Sequence, residues 1–159
     1  MTNSNKSLTF TKYFIIFSFF VALISGVMTI IHFLNNDVSQ GLWHFTNKGL
    51  YFFIIYIIQL VLMLLILILT YQLMQKVDHK DYFNTINYDK LFFIAVLTIL
   101  YAGLNLLKKY MILPNDYRTL LDTTVDTNQL LVVLSIVILT SLSIYEESKK
   151  IKEENDLTI

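Results

Sequence analysis

Residues 50–70 read LYFFIIYIIQLVLMLLILILT, and Gln59 is the only strongly polar side chain among them. A helix that crosses a membrane needs about 20 mainly apolar residues. A helix on the surface of a soluble protein would instead carry a polar face, which this stretch lacks. Because backbone polar groups in lipid must be satisfied within the segment itself, the stretch predicts a transmembrane helix.

Three other stretches share this character. Residues 13–36, 91–107 and 127–145 contain no Asp, Glu, Lys or Arg, and the same is true of residues 49–75, which include the stretch quoted above. The whole chain is 55% hydrophobic and 15% charged, whereas soluble domains are about 45–50% apolar and about 25% charged. We therefore predict an all-α, four-helix transmembrane up-down bundle. It forms a single integral membrane domain, residues 1–159, with spans at about 13–35, 50–75, 90–112 and 126–146 and a tail at 147–159.

The basic residues predict the orientation of the bundle. If the N-terminus is cytoplasmic, eight of the 12 Lys and Arg residues lie inside and four lie outside. Cytoplasmic loops carry an excess of basic residues, so this count favours a multi-pass protein with both termini in the cytoplasm. The four outer residues are Lys48, Lys108, Lys109 and Arg118.

Small and polar residues predict how the helices pack. Helices in lipid associate through small residues and interhelical hydrogen bonds. The second helix has no small-residue seam, so we expect much of it to face lipid. One face of the first helix carries Ser18, Ala22, Ser25 and Thr29, and one face of the third carries Ala95, Thr98, Ala102 and Asn105.

Several polar residues lie at similar distances from the outer end of their predicted helices. In an up-down bundle they would form a buried polar layer near the middle of the membrane. Polar groups inside a membrane often mark a function, so the layer could be a small site or an ion path. Interhelical hydrogen bonding is the favoured interpretation, because no ionisable residue belongs to the layer. The layer consists of Ser25, Gln59, Tyr101, Asn105 and Ser135.

The chain carries few residues suited to catalysis or cofactor binding. It has no cysteine, its four glycines are scattered, and its formal net charge is zero. These features argue against thiolate chemistry, a phosphate-cradling loop and direct nucleic-acid binding. His32, His44 and Asp37 could meet a metal outside the membrane, but their spacing is not diagnostic. We predict no enzymatic activity, no cofactor and no metal site.

Two short motifs carry a family resemblance. The connection between the second and third helices contains Phe83, Asn84, Asn87 and Leu91, and the chain ends in EENDLTI, residues 153–159. Both resemble DUF2975, a family of small bacterial four-helix membrane proteins whose connection reads Phe-Ser-x-x-Asn-x-x-x-Leu. Asn84 replaces the serine and keeps the ability to cap a helix N-terminus. The resemblance implies an uncharacterised protein of the bacterial cytoplasmic membrane. It also implies a neighbouring gene for a small helix-turn-helix regulator.

These features suggest that the protein is a membrane partner or sensor that docks a soluble cytoplasmic protein, such as a helix-turn-helix regulator. An acidic tail with apolar residues at its tip suits a basic DNA-binding surface. One alternative is self-protection against a membrane-active peptide through the outer loops, around 43–46 and 114–122. Another alternative is a small transporter component with a water-filled path through Gln59 and Asn105. The residues proposed to dock the partner are Phe83, Asn84, Asn87, Glu153, Glu154, Asp156, Leu157 and Ile159.

Overall fold

The computed structural model of the protein describes residues 3–39, 42–44, 47–78 and 85–156. Four long helices and one short helix account for most of them, and the described residues contain no strand. The predicted all-α fold class is confirmed. The helices are α1 (Asn3–Leu34), α2 (Lys48–Asp78), α3 (Thr85–Tyr110), α4 (Asn115–Leu120) and α5 (Thr124–Asp156).

Four helical stretches are long and apolar enough to cross a membrane. The first three lie within α1, α2 and α3, whereas the fourth combines α4 with most of α5. A bundle of four such stretches confirms the predicted membrane character of the chain. The stretches are Thr9–Leu34, Lys48–Lys76, Asp89–Tyr110 and Asn115–Ser141.

Helix α2 lies at the centre of the bundle. It packs against α1, α3 and α5, and 39% of its most apolar window is buried, the largest share of the four spans. The other side of α2 carries a stripe of exposed apolar residues, among them Ile54, Ile58 and Leu65, which agrees with the prediction that much of this helix faces lipid. Its large side chains interdigitate with the surrounding helices, and close packing of this kind needs no small-residue seam. The buried residues on α2 include Met63, Ile66, Leu67, Leu73 and Met74.

The packed face of α1 agrees with the predicted one at two positions and differs at a third. Ser18 and Ala22 are buried, but the next contact is made by Gly26, because Ser25 is exposed. A Cβ atom on Gly26 would lie 2.5 Å from the Cδ atoms of Leu60 on α2. Glycine therefore permits the close approach of α1 and α2 at this level.

The packed face of α3 consists of large residues. Ile94, Tyr101 and Lys108 are buried at intervals of seven residues, which is the spacing of a left-handed helix seam. Ala95 and Ala102 are exposed, so these two members of the predicted face do not make the contact, whereas Asn105 does.

We call the end of the bundle where α1 and α3 terminate and α2 begins the loop end. An aromatic cluster closes it. Phe33 stacks on Phe53 with ring centroids 5.0 Å apart, and Tyr117 of α4 lies 5.7 Å from Phe33. The Tyr117 hydroxyl donates a 2.9 Å hydrogen bond to the carbonyl oxygen of Val38. These contacts join α4 to the segment that follows α1.

The position of α5 along the bundle follows from its contacts. Thr140 Oγ1 lies 3.4 Å from Met74 Sδ, so Asp78, four residues further along α2, is level with Ile144. Residues 145–156 of α5 therefore extend past the end of α2, by about 18 Å at 1.5 Å per residue. The helix continues to Asp156, through most of the predicted tail. After the connection between α2 and α3, helix α3 begins at Thr85. Asn84, the predicted cap of this helix, lies outside the described residues.

A candidate ligand cleft at a helix break

The fourth membrane-spanning stretch is interrupted. Helix α4 ends at Leu120 and α5 begins at Thr124. Asp122 Oδ1 accepts hydrogen bonds from the backbone nitrogen of Thr124 at 3.1 Å and from its hydroxyl at 2.7 Å. The carboxylate thus satisfies one of the free N–H groups in the first turn of α5 and complements the positive end of the helix dipole.

Lys108 of α3 occupies the break. Its Nζ donates a 3.0 Å hydrogen bond to the carbonyl oxygen of Leu121, a group outside the regular hydrogen bonding of both helices. The same ammonium lies 4.7 Å from the ring centroid of Phe52 and 5.4 Å from that of Tyr56, within the range of cation–π attraction. Lys108 is only 6% exposed, and it is buried at the same end of the bundle as Lys48, Lys109 and Arg118.

A polar cluster lies directly beside the break, with Asn105 at its centre. Asn105 Oδ1 accepts hydrogen bonds from Gln59 Nε2 at 2.8 Å and from Thr123 Oγ1 at 3.1 Å. Asn105 Nδ2 donates to Thr127 Oγ1 at 3.1 Å. The cluster therefore connects α2, α3 and the start of α5.

The hydrogen-bond directions in this cluster are determined. Thr127 donates its single hydroxyl proton to the carbonyl oxygen of Thr123 at 2.7 Å. In the 3.5 Å contact between Tyr101 and Thr127, the tyrosine must therefore be the donor. One acceptor remains unused, because Gln59 Oε1 has no partner among the described residues although Gln59 is only 1% exposed. Buried polar atoms normally have a partner, so this oxygen is suited to a water or ligand donor.

The break and the cluster form one side of an open cleft of about 460 Å³. Binding sites for small molecules commonly measure about 300–1,000 Å³. Asn105, Thr123 and Thr127 supply polar groups to the cleft, and Phe52 supplies an apolar wall. The charged residues that line it are Lys108, Lys109, Arg118 and Asp122.

The structure brings three members of the predicted polar layer together and separates the other two. Gln59, Tyr101 and Asn105 belong to the cluster. Ser25 and Ser135 are exposed, so their assignment to a buried layer is wrong. Ser25 lies on the outward side of α1 beside Gly26, and the Ser135 hydroxyl bonds within its own helix, to Leu131 O at 2.9 Å.

Thr123, Thr127 and Lys108 were not predicted as site residues from the sequence. Thr123 and Thr127 join the cluster because α5 begins at this depth, and no sequence periodicity marks that depth. The available signal was the group of polar residues at 122–124 immediately before the fourth apolar stretch. Interrupted membrane helices often place a helix N-terminus and free carbonyl groups at a binding site.

The predicted docking residues are only partly described. Asn87 is 3% exposed, so its side chain is not available to a partner and its assignment to a docking surface is wrong. It faces the interior of the bundle near the start of α3. Glu153, Glu154 and Asp156 lie in the last turns of α5, and their side chains are outside the described part. Phe83, Asn84, Leu157 and Ile159 are outside it altogether.

The fold and the cleft define a four-helix integral membrane protein. Residues 30–159 match the family model described as Protein of unknown function (DUF2975), and the protein belongs to this family. The resemblance inferred from the two motifs is thereby confirmed. No curated protein and no solved structure matches the chain.

Proposed function

We propose that this protein is a non-enzymatic membrane protein that docks a soluble cytoplasmic protein, such as a small helix-turn-helix regulator, on the extension of α5. The observation that carries the proposal is the continuation of α5 as one helix to Asp156. A helix that extends about 18 Å past its neighbour presents a surface that the other described helices do not cover. This extension is defined as residues 145–156.

The charge of the extension suits a basic partner. Residues 146–156 read EESKKIKEEND, in which the acidic residues outnumber the lysines and are concentrated at the end. Surfaces that bind DNA are rich in Lys and Arg. Complementary charge of this kind governs the rate and specificity of association. Leu157 and Ile159 add apolar side chains beyond the acidic group.

Co-purification from native membranes tests this proposal. The protein carries its affinity tag at the N-terminus, because a C-terminal tag would mask the extension. Removal of residues 153–159, or the paired change Glu153→Lys with Glu154→Lys, is expected to abolish recovery of the regulator encoded beside the gene. The matched control, Lys149→Ala with Lys150→Ala, changes the same helix and leaves its acidic end intact. Unchanged recovery in the acidic variants would contradict docking on the extension.

Self-protection against a membrane-active peptide is a second candidate, which the exposed side chains at the loop end favour. Large apolar side chains are exposed at this end of the bundle. Trp43 is 71% exposed and Ile112 is 85% exposed. In cells challenged with the peptide, Trp43→Ser and Ile112→Ser should remove protection if this candidate is right, whereas removal of residues 153–159 should not.

A further inference from the structure

We infer that the cleft at the break between α4 and α5 binds the anionic headgroup of a phospholipid, with Lys109 and Arg118 in contact with the phosphate. This inference does not depend on the proposed docking function. It rests on the charges of the cleft, on the hydrogen-bonding groups within it and on its depth in the bundle.

The cleft has an excess of positive charge. Lys108, Lys109 and Arg118 line it together with one carboxylate, that of Asp122. Asp122 is engaged with the first turn of α5 through two hydrogen bonds. Lys109 and Arg118 form no ion pair with a carboxylate in the described parts of the chain. Lys108 has the charges of Asp122 and Asp126 nearby, so a phosphate oxygen would supply the counter-charge that Lys109 and Arg118 lack.

Two of the cations retain donors that face outward. Lys109 and Arg118 are exposed, and Arg118 uses Nη2 for a 2.9 Å hydrogen bond to the carbonyl oxygen of Met111. That bond fixes the guanidinium at the edge of the cleft and leaves other N–H groups for a ligand. Lys108 is held deeper, by Leu121 O, and contributes its charge from behind the polar groups.

The polar groups of the cleft suit a headgroup that carries hydroxyls. Asn105, Thr123 and Thr127 supply amide and hydroxyl groups beside the cations. Behind them, the cluster still has one unused acceptor, Gln59 Oε1. Gln59 does not line the cleft itself, so a water bound beneath the headgroup would satisfy this acceptor. An anionic lipid with a glycerol headgroup, such as phosphatidylglycerol, combines a phosphate with two hydroxyls.

The depth of the cleft matches a lipid headgroup. Lys48–Lys76 comprises 29 residues, about 43 Å of helix, close to the full bilayer thickness with its headgroups. Lys108 lies beside Tyr56, which is eight residues, or about 12 Å, from Lys48 along α2. Headgroup layers are about 5–7 Å thick on each side, so Tyr56 lies about 5–7 Å inside the acyl-chain region. Phe52, which lines the cleft, is about 6 Å from Lys48 along α2 and lies where headgroups meet acyl chains.

The surface next to the cleft favours a lipid over a soluble anion. Leu106, Leu107 and Tyr110, which flank Lys109 on α3, are 59%, 57% and 79% exposed. An anionic lipid could place its phosphate between Lys109 and Arg118 and its acyl chains against these apolar side chains. A soluble phosphate compound would make only the polar contacts.

Lipid titration of the full chain in nanodiscs tests the inference. The nanodiscs contain phosphatidylcholine with increasing amounts of phosphatidylglycerol, and bound lipid is counted by native mass spectrometry after release. A direct hydrogen bond to the phosphate contributes about a fivefold change in affinity, and an exposed charge outside the cleft does not form one. We therefore expect Lys109→Gln and Arg118→Gln each to weaken phosphatidylglycerol retention about fivefold, and the double variant about 25-fold. Both side chains are exposed, so the variants should fold.

Lys48→Gln is the matched control, because it removes one exposed charge at the same end of the bundle and outside the cleft. It should retain phosphatidylglycerol within about twofold of the unchanged protein, as screened surface charges contribute little. An equal loss in Lys48→Gln, or no loss in the double variant, would overturn the site. Displacement of the lipid by inorganic phosphate or glycerol 3-phosphate at equal concentration would assign the cleft to a soluble phosphate compound and overturn the lipid assignment.

Discussion

Gln59 on α2 donates a 2.8 Å hydrogen bond to Asn105 on α3, and this single contact fixes the level of the two helices relative to each other. Asn105 also bonds to Thr123 and Thr127, so the same residue determines where α5 begins. The helix break is therefore joined to the most buried helix of the bundle through one amide side chain.

Replacement of Asn105 by leucine should destabilise the bundle. The change leaves the buried amide of Gln59 without a partner, and an unsatisfied buried polar group costs about 1–3 kcal/mol. Thermal unfolding of the purified protein in detergent measures the loss. Gln59→Leu combined with Asn105→Leu should recover most of it, because an apolar pair leaves nothing unsatisfied between the two positions. Ser25→Ala, at an exposed position, is the control. Additive losses in the double variant would contradict the contact.

The glycines of the membrane-spanning helices should respond to alanine in a defined order. A Cβ at Gly103 meets nothing within 4 Å, so Gly103→Ala should stabilise the helix by about 0.5–1 kcal/mol. Gly26→Ala should be mildly destabilising, because the crowded atoms are the flexible Cδ groups of Leu60. Gly49→Ala should be the most destabilising, since it presses on the buried ring of Tyr117.

The same thermal unfolding assay ranks the three variants, and Leu60→Ala should rescue Gly26→Ala specifically. A loss of stability in Gly103→Ala, or equal losses at all three positions, would contradict the packing of α1 on α2 and of α4 on the start of α2.

The membrane-spanning helices could be predicted because they depend only on the order of charged and apolar residues along the chain. Long intervals without charge identify a span wherever the helix later packs. The buried face of each helix was harder to predict, because an error of one residue corresponds to about 100° of rotation around the helix. Choosing Ser25 instead of Gly26 therefore misplaced one member of the α1 seam, to which Ser18 and Ala22 do belong. The identity of the contact depended on Leu60, a residue in another helix.

The candidate site was predictable only in part for a similar reason. Gln59 and Asn105 stand out as amides within apolar stretches, and that signal is local. Ser135 was placed in the layer by assuming that all helices begin at the same level. The chain instead forms α4 at the loop end and starts α5 beside Asn105, so Ser135 lies further along the bundle. In the sequence, Lys108 resembles any lysine at the end of a membrane-spanning helix. Its burial depends on the carbonyl oxygen of Leu121, which accepts its hydrogen bond at the break.

Replacement of Lys108 by methionine should loosen the break between α4 and α5. The carbonyl oxygen of Leu121 loses its donor, and Phe52 and Tyr56 lose the cation above their rings. Hydrogen exchange at residues 121–125 should show local opening that is easier by about 1–3 kcal/mol. Lys109→Met removes an exposed charge next in sequence and should leave exchange at these residues unchanged. Equal protection in both variants would show that Lys108 does not hold the break.

The register of α5 on α2 can be tested by cross-linking, because the chain contains no cysteine. Thr140 Oγ1 lies 3.4 Å from Met74 Sδ, so Met74→Cys combined with Thr140→Cys should react rapidly with a short bifunctional thiol reagent in membranes. Ile138 is 60% exposed and lies two residues away, about 200° around the helix. Met74→Cys with Ile138→Cys should therefore cross-link slowly. Comparable rates would mean that α5 turns or slides against α2, and the extension of residues 145–156 past α2 would then no longer follow from the contact at Met74.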